Sequence, residues 1–404
     1  MNSGKKRAAA RVCMLVTRLD QLGGAEVQAF RLARALVQLG AEVMICGAYK
    51  KGSIQEDGGV RLLRIPLYDF LPRYAGGMAY LLLTFSRLWH VRRGYDLIHA
   101  HGIVHSAPAA AIIGSVLKKS VIATVLGGGG DVATYGDVAT LRRAYFSRLR
   151  RRLLMKVARY VALSEQIGSE LLGLGLDGRR VVSIPNGVDT SVFYPWVGDR
   201  RALRRKLGLS EEDKMVIFVG RFVPGKRVDL LIAGLRQVRE RVPEARLVLV
   251  GDGPLRPELE QIVVRLGLDS SVIFAGNRSD VAAYMQASDL FVLPSEAEGM
   301  SNAVLEAMAC GLPVLVSDCE GNRELVTDGL DGIVFPRGSE KSLAQKIEAL
   351  LLDTACAQRL ARAAVEKVQS QFRLESVAAR YLELYETAVG TRTVPQGVRA
   401  RYHG

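Results

Sequence analysis

Two α/β domains, each a doubly wound parallel sheet, are the architecture this sequence predicts, and three observations predict it. Short apolar runs alternate with amphipathic segments along nearly the whole chain. Several of these runs end in Gly-rich turns, the place where an open parallel sheet presents ligands. A length of 404 residues with 49% hydrophobic content is long for one core and ample for two.

Taken in order, Val12-Cys-Met-Leu-Val-Thr17 is the first strand, and Leu22-Gly-Gly-Ala-Glu-Val27 turns into a helix reaching Leu39. Glycines there, Gly23 and Gly24 among them, let backbone approach a ligand closely. Strands follow at 42–47, 60–65, 96–100, 120–125, 160–164 and 181–185. His101 falls at the tip of Asp96-Leu-Ile-His-Ala-His101, where an imidazole can position a hydroxyl or stabilise charge. His99 and His105 read as structural. The run Leu126-Gly-Gly-Gly-Gly-Asp131 offers unobstructed amides for an anion or a sugar. From Leu141 to Tyr160 the chain predicts a basic amphipathic helix with Arg142, Arg143, Arg148, Arg150, Arg151, Arg152, Lys156 and Arg159 and no acid. Such a helix suits an anionic membrane, and the segment from Leu81 to Arg93 has a similar mixture.

Beyond a linker with Pro195 and Trp196 and a helix over 200–207, a second strand series starts at Lys214. Its first loop carries Arg221 and Lys226, a guanidinium fork and a mobile ammonium that suit a diphosphate. A helix over 228–240 precedes the strand and turn Leu247-Val-Leu-Val-Gly-Asp-Gly-Pro254, with Gly251 and Gly253. The next strand ends in Gly276-Asn277-Arg278. After the apolar run 289–293, the stretch Pro294-Ser-Glu-Ala-Glu-Gly-Met-Ser-Asn-Ala-Val-Leu-Glu-Ala-Met-Ala-Cys-Gly-Leu-Pro313 organises the rest. Glu298 lies in a loop at the carboxyl end of a strand. Ser301 or Asn302 caps a helix, Glu306 sits about one turn into it, and Gly311 and Pro313 stop it. That helix start, flanked by Glu298, Gly299 and Met300, suits a phosphate or a sugar. Strands at 314–317 and 332–335 and helices from 343 to 389 complete the chain, leaving a basic tail at 399–404. The expected division is 1–190, 191–375 and a final segment 376–404.

A net charge of +14 points to an anionic partner: nucleic acid, lipid headgroups or a phosphorylated ligand. Five cysteines without a Cys-x-x-Cys pair fit a reducing compartment. The N-terminus lacks a signal-peptide pattern, and the longest stretch without Asp, Glu, Lys or Arg, 97–117, is interrupted by histidines and Pro108. The expected location is cytoplasmic, peripheral on the inner face of the plasma membrane. A basic nucleic-acid-binding protein is the alternative, but the sequence has no helix-turn-helix, zinc or RNA-recognition signature.

Glu298, seven residues, Glu306 and then Ala307-Met-Ala-Cys-Gly-Leu-Pro-Val314 resemble the signature of retaining glycosyltransferases of family four, which have the GT-B fold. Gly23-Gly-Ala-Glu26, Pro185-Asn-Gly-Val-Asp189, Gly220-Arg221 with Lys226, and the turn around Gly251 and Gly253 match that family too. Leu126 stands where many relatives carry histidine. The resemblance implies two Rossmann-like doubly wound domains facing across a cleft, the last helices crossing back to the first. It implies a nucleoside-diphosphate sugar as donor, with Glu298 approaching the sugar and Glu306 on the ribose. Arg221 and Lys226 would hold the leaving diphosphate, and His101 would lie near the donor sugar. Gly23 and Gly24 would lie beside the phosphates, and Asn277 and Arg278 would hold the base largely through backbone. Gly251, Gly253, Gly299, Met300, Ser301 and Asn302 would complete the donor site. Departure and attack on one face would give retention without an enzymatic nucleophile. No Asp-x-Asp pair is present, so no metal is required on this reading. The expected acceptor is a lipid-linked or cell-envelope glycan, with a soluble small molecule as the other option.

Overall fold

The computed structural model describes residues 10–19, 23–49, 58–66, 73–103, 106–126 and 152–390. These divide into two compact units. The first takes the described residues up to 126, then 152–187 and those from 374 onward; the second is 188–373.

The first unit carries β1 (Arg11–Arg18), α1 (Gly24–Gln38), β2 (Glu42–Tyr49), β3 (Arg61–Pro66), α2 (Arg73–His90), β4 (Leu97–His101), α3 (Ser106–Leu117), β5 (Ser120–Val125), β6 (Arg159–Ala162), α4 (Glu165–Gly173) and β7 (Val181–Ser183). Its strands form one sheet in the order β3-β2-β1-β4-β5-β6-β7, every pair parallel. Val12 to Val16 are all buried, as a strand covered on both faces requires. The order reverses between β1 and β4, so their carboxyl ends border the crevice of this sheet.

The second unit runs α5 (Arg200–Lys206), β8 (Lys214–Val219), α6 (Val228–Arg239), β9 (Ala245–Val250), α7 (Arg256–Arg265), β10 (Val272–Gly276), α8 (Val281–Ala287), β11 (Leu290–Leu293), α9 (Asn302–Ala309), β12 (Val314–Ser317), α10 (Glu320–Leu325), β13 (Ile333–Phe335), α11 (Glu340–Leu352) and α12 (Thr354–Gln371). Its parallel sheet has the order β10-β9-β8-β11-β12-β13, with the reversal between β8 and β11. Ser301 rather than Asn302 caps α9; its Oγ accepts the Val304 N–H at 3.4 Å.

The last helix among the described residues, α13 (Leu374–Ala388), belongs to the first unit. Leu374, Val377, Ala378, Tyr381, Leu384 and Tyr385 recur at helical spacing and share one core with Val12, Met14, Leu97, Ile122 and Val161.

The basic helix expected to reach Tyr160 ends earlier. Residues 152–154 are helical, Lys156 lies in a turn, and Arg159 opens β6. Val157 and Tyr160 are fully buried, and Tyr160 donates its hydroxyl to Leu154 O at 2.7 Å, which fixes the chain as it leaves the helix. The rest of that helix, 141–151, lies outside the described residues, as do Leu22, His105, the glycines of 127–130 with Asp131, and the basic tail.

Candidate active site

The reversal in the second sheet brings two loops together, one leaving β8 and the other leaving β11. The first carries Arg221 and a single turn, Pro224–Lys226; the second carries Glu296 and Glu298. Glu296 N–H bonds Gly225 O at 2.8 Å, so the loops are joined through backbone. Lys226 Nζ then lies 2.5 Å from Glu298 Oε1, with the two side chains 19% and 6% exposed. A cation and an anion drawn from water this far need each other. Arg221 is exposed, and its side chain has no hydrogen bond or ion pair among the described residues.

Arg227, next to Lys226, takes a left-handed backbone at φ 48°, a region that costs a side-chain-bearing residue energy. Its guanidinium is held by Asp229 and, at 3.0 Å, by Glu296 Oε1. This clasp was not legible in the sequence, because no residue type announces an arginine in that conformation.

Gly251 and Gly253 serve protein contact. A Cβ on Gly251 would stand 2.0 Å from Gly220 O, and one on Gly253 would stand 2.4 Å from Phe222 O. The Arg221 loop therefore rests backbone on backbone, with Gly220 N–H to Val250 O at 3.0 Å and Phe222 N–H to Asp252 O at 2.9 Å. Gly321, unremarked in the sequence, does the same behind Glu298, where its Cβ would lie 2.3 Å from Glu298 O.

Gly299 and Ser301 are buried and Met300 and Asn302 half-buried at the start of α9, while Glu306 is buried in its second turn. Burial first, then the Glu306 charge, pushes the Cys310 thiol up. Asn277 and Arg278 are exposed beyond β10. The Arg278 guanidinium is engaged by Asp280 at 2.8 and 2.9 Å and lies over the Tyr284 ring.

In the first unit, the Gly23 N–H is taken by Glu26 Oε2 at 3.2 Å, and Gly24 opens α1. Neither depends on a left-handed backbone. His99 and His101 project from one face of β4, and their rings touch with centroids 4.2 Å apart and planes tilted by 43°. His99 is fully buried between Tyr385 Oη and Thr124 Oγ1, each 2.8 Å from a ring nitrogen. His101 Nε2 is buried with no hydrogen-bond partner among the described residues. Burial lowers both imidazoles, His101 to about 4, so His101 is neutral near pH 7. It can donate or accept a hydrogen bond to a hydroxyl there, but it carries no charge. Among the described residues no group of three or more His, Cys, Asp or Glu could hold a metal ion.

Two family models account for both units. "Glycosyltransferase Family 4" matches residues 22–192, and "Glycosyl transferases group 1" matches 199–367. An N-acetyl-alpha-D-glucosaminyl L-malate synthase of Bacillus anthracis is 27% identical over 294 residues, 73% of this chain and 75% of that one. A Campylobacter jejuni N,N'-diacetylbacillosaminyl-diphospho-undecaprenol alpha-1,3-N-acetylgalactosaminyltransferase is 27% identical over 333 residues, 81% of this chain and 86% of the other. The solved structure of Anabaena HepE with UDP and glucose superposes with a TM-score of 0.78 at 22% identity, covering 93% of this chain and 99% of that one. The chain is a glycosyltransferase of the GT-B fold. In this glycosyltransferase the second unit gathers two cations, a paired carboxylate and a capped helix start on neighbouring loops, the groups that an anionic leaving nucleotide calls for.

Proposed function

We propose that this enzyme is a retaining hexosyltransferase of family four, whose donor diphosphate is held by Arg221, Lys226 and the start of α9. The observation that carries this reading is the Lys226–Glu298 pair at the strand-order reversal of the second sheet. Before donor binds, each charge satisfies the other. A diphosphate, with more charge than one carboxylate, would draw Lys226 towards itself and leave Glu298 oxygens for sugar hydroxyls. Charge that builds on the diphosphate as the glycosidic bond breaks is then met by fixed cations. Glu306 is assigned to the ribose, and neutral His101 to one sugar hydroxyl. Asn277 and Arg278 contribute main-chain contacts to the base, since the Arg278 guanidinium is already engaged. In the second unit, 299–302 are assigned to the walls of the donor site, with Gly251 and Gly253 seating the Arg221 loop beside it.

Screening nucleoside diphosphates and their sugars by thermal shift tests the site, because a ligand at a hundred times its Kd stabilises by about 2.7 kcal/mol. Glu306→Gln should weaken binding of the free nucleoside diphosphate, whereas Glu298→Gln should bind it and lose turnover. If the nucleotide binds both variants as it binds the parent, Glu306 does not hold the ribose.

The acceptor we propose is a lipid-linked or envelope glycan met at an anionic membrane surface. Its support is the acid-free basic run from Arg142 to Arg159 and the polyprenyl-linked acceptor named for the Campylobacter relative. No helix among the described residues is long and apolar enough to cross a membrane. Each basic residue near an anionic surface contributes about 1 kcal/mol. Sedimentation with liposomes should therefore need anionic lipid and fall as salt rises. Replacing Arg148, Arg150, Arg151 and Arg152 by Gln should abolish it with donor binding intact. A parent protein that ignores anionic liposomes at low salt would point to a soluble acceptor.

A further inference from the structure

We infer that Tyr385, acting through His99, is a positioning residue for His101, so that α13 sets the ring on which the substrate hydroxyl docks. The inference rests on the assignment of His101 to the donor sugar. His99 and His101 lie two apart on β4, their side chains leave the same face, and their rings are in contact, with centroids 4.2 Å apart and planes tilted by 43°. The orientation of His101 therefore follows that of His99. His99 cannot turn freely, because both of its nitrogens are engaged: Nδ1 to Tyr385 Oη and Nε2 to Thr124 Oγ1, each at 2.8 Å. Those partners come from opposite sides of the ring, Tyr385 on α13 and Thr124 on β5. Thr124 is the register partner of His101 in the sheet, and Tyr381 Oη stands 3.4 Å from the Thr124 hydroxyl.

A neutral imidazole offers one N–H and one lone pair. With a hydroxyl at each nitrogen, able to donate or to accept, the ring of His99 is bonded on both sides without a charge whichever neutral tautomer it takes. His101, by contrast, has a buried Nε2 with no partner among the described residues. The arrangement is one fully bonded ring supporting one ring with a hydrogen-bonding position to spare. A purely structural histidine pair would need no such asymmetry, since a buried polar atom left unbonded costs stability.

The test is a double-mutant cycle between Tyr385→Phe and His101→Gln, read as kcat and donor KM separately. Tyr385→Phe keeps the ring in the core and removes only the hydroxyl. It should lower kcat about three- to tenfold, the effect of one lost buried hydrogen bond, with donor KM unchanged. In the His101→Gln background it should cost nothing further. The Nδ1 resonance of His99 should shift in Tyr385→Phe, where that nitrogen loses its hydroxyl partner, and the resonances of His101 should broaden or shift with it. Thr124→Val should repeat these effects from the other side of the ring, and Thr124→Ser, which keeps the hydroxyl, should not. An equal loss from Tyr385→Phe with and without His101 would overturn the inference, as would an unchanged kcat in both Tyr385→Phe and Thr124→Val. Full turnover by His101→Gln alone would instead remove the assignment of His101 beneath it.

Discussion

Lys226→Ala is expected to cut kcat/KM for the donor by about ten- to a hundredfold, the value of one charge-assisted contact to a charged group. It should destabilise the second unit as well. Glu298 has a side chain only 6% exposed, and Lys226 is the cation against it. Removing one member of a buried pair leaves the other uncompensated, at a cost of about 3 kcal/mol or more. Stability and catalysis separate in the double variant. Lys226→Ala with Glu298→Gln should recover most of the urea midpoint, since the stranded charge is gone, yet recover none of the turnover. A single variant that unfolds like the parent would show that Glu298 finds other solvation. Unchanged donor affinity would remove Lys226 from the diphosphate.

Gly321→Ala should be nearly as damaging, although residue 321 carries no chemistry. Its new Cβ would meet Glu298 O at 2.3 Å and Gly299 O at 2.8 Å, and both are backbone atoms that no rotamer change can move. The loop cannot retreat easily, because Glu296 N–H is bonded to Gly225 O and Ser317 Oγ to Ser295 O. Asn322, beside the glycine, donates to Ser317 O at 3.1 Å and closes the same knot. Overpacking of this kind costs about 1–3 kcal/mol. If the clash is relieved by shifting Glu298, a displacement of about 1 Å can cost a hundredfold in rate. Gly173→Ala is the control, since a Cβ there meets nothing within 4 Å. A Gly321→Ala enzyme with parental kcat and unfolding midpoint would mean the loop adjusts freely.

Much of this architecture could be read from residue order. The strand runs and their flanking helices announce themselves by period, and Arg221, Lys226 and Glu298 draw notice as charges in loops at strand ends. What residue order does not contain is sheet order. Lys226 and Glu298 are 72 positions apart, and only the placement of β11 beside β8 makes them a pair. The glycines at 251 and 253 announce a close approach, but not that a neighbouring loop makes it. The basic run from Leu141 reads as one helix because charge dominates its composition. The buried Val157 and Tyr160, two residues among many, decide where it stops. Its place at the strand tip sets His101 apart from His99 in the sequence, but the hydroxyls of Tyr385 and Thr124 that engage His99 come from distant positions and are not legible there.

The apolar stripe of α13 bears on how the polypeptide matures. The ribosome releases the strands of the first sheet early, but the helix that completes their hydrophobic core is encoded after Arg373. At about 5–20 residues per second, the intervening second unit delays that helix by on the order of ten to forty seconds. During this interval Val12, Leu97, Ile122 and Val161 lack the cover of Leu374, Val377 and Tyr385, so the nascent chain exposes an adhesive face. The later-made unit, whose described residues run unbroken from 188 to 373, can close before the earlier one does. Translation stopping just short of Leu374 would yield the second unit through Arg373 tethered to a first sheet with its core open.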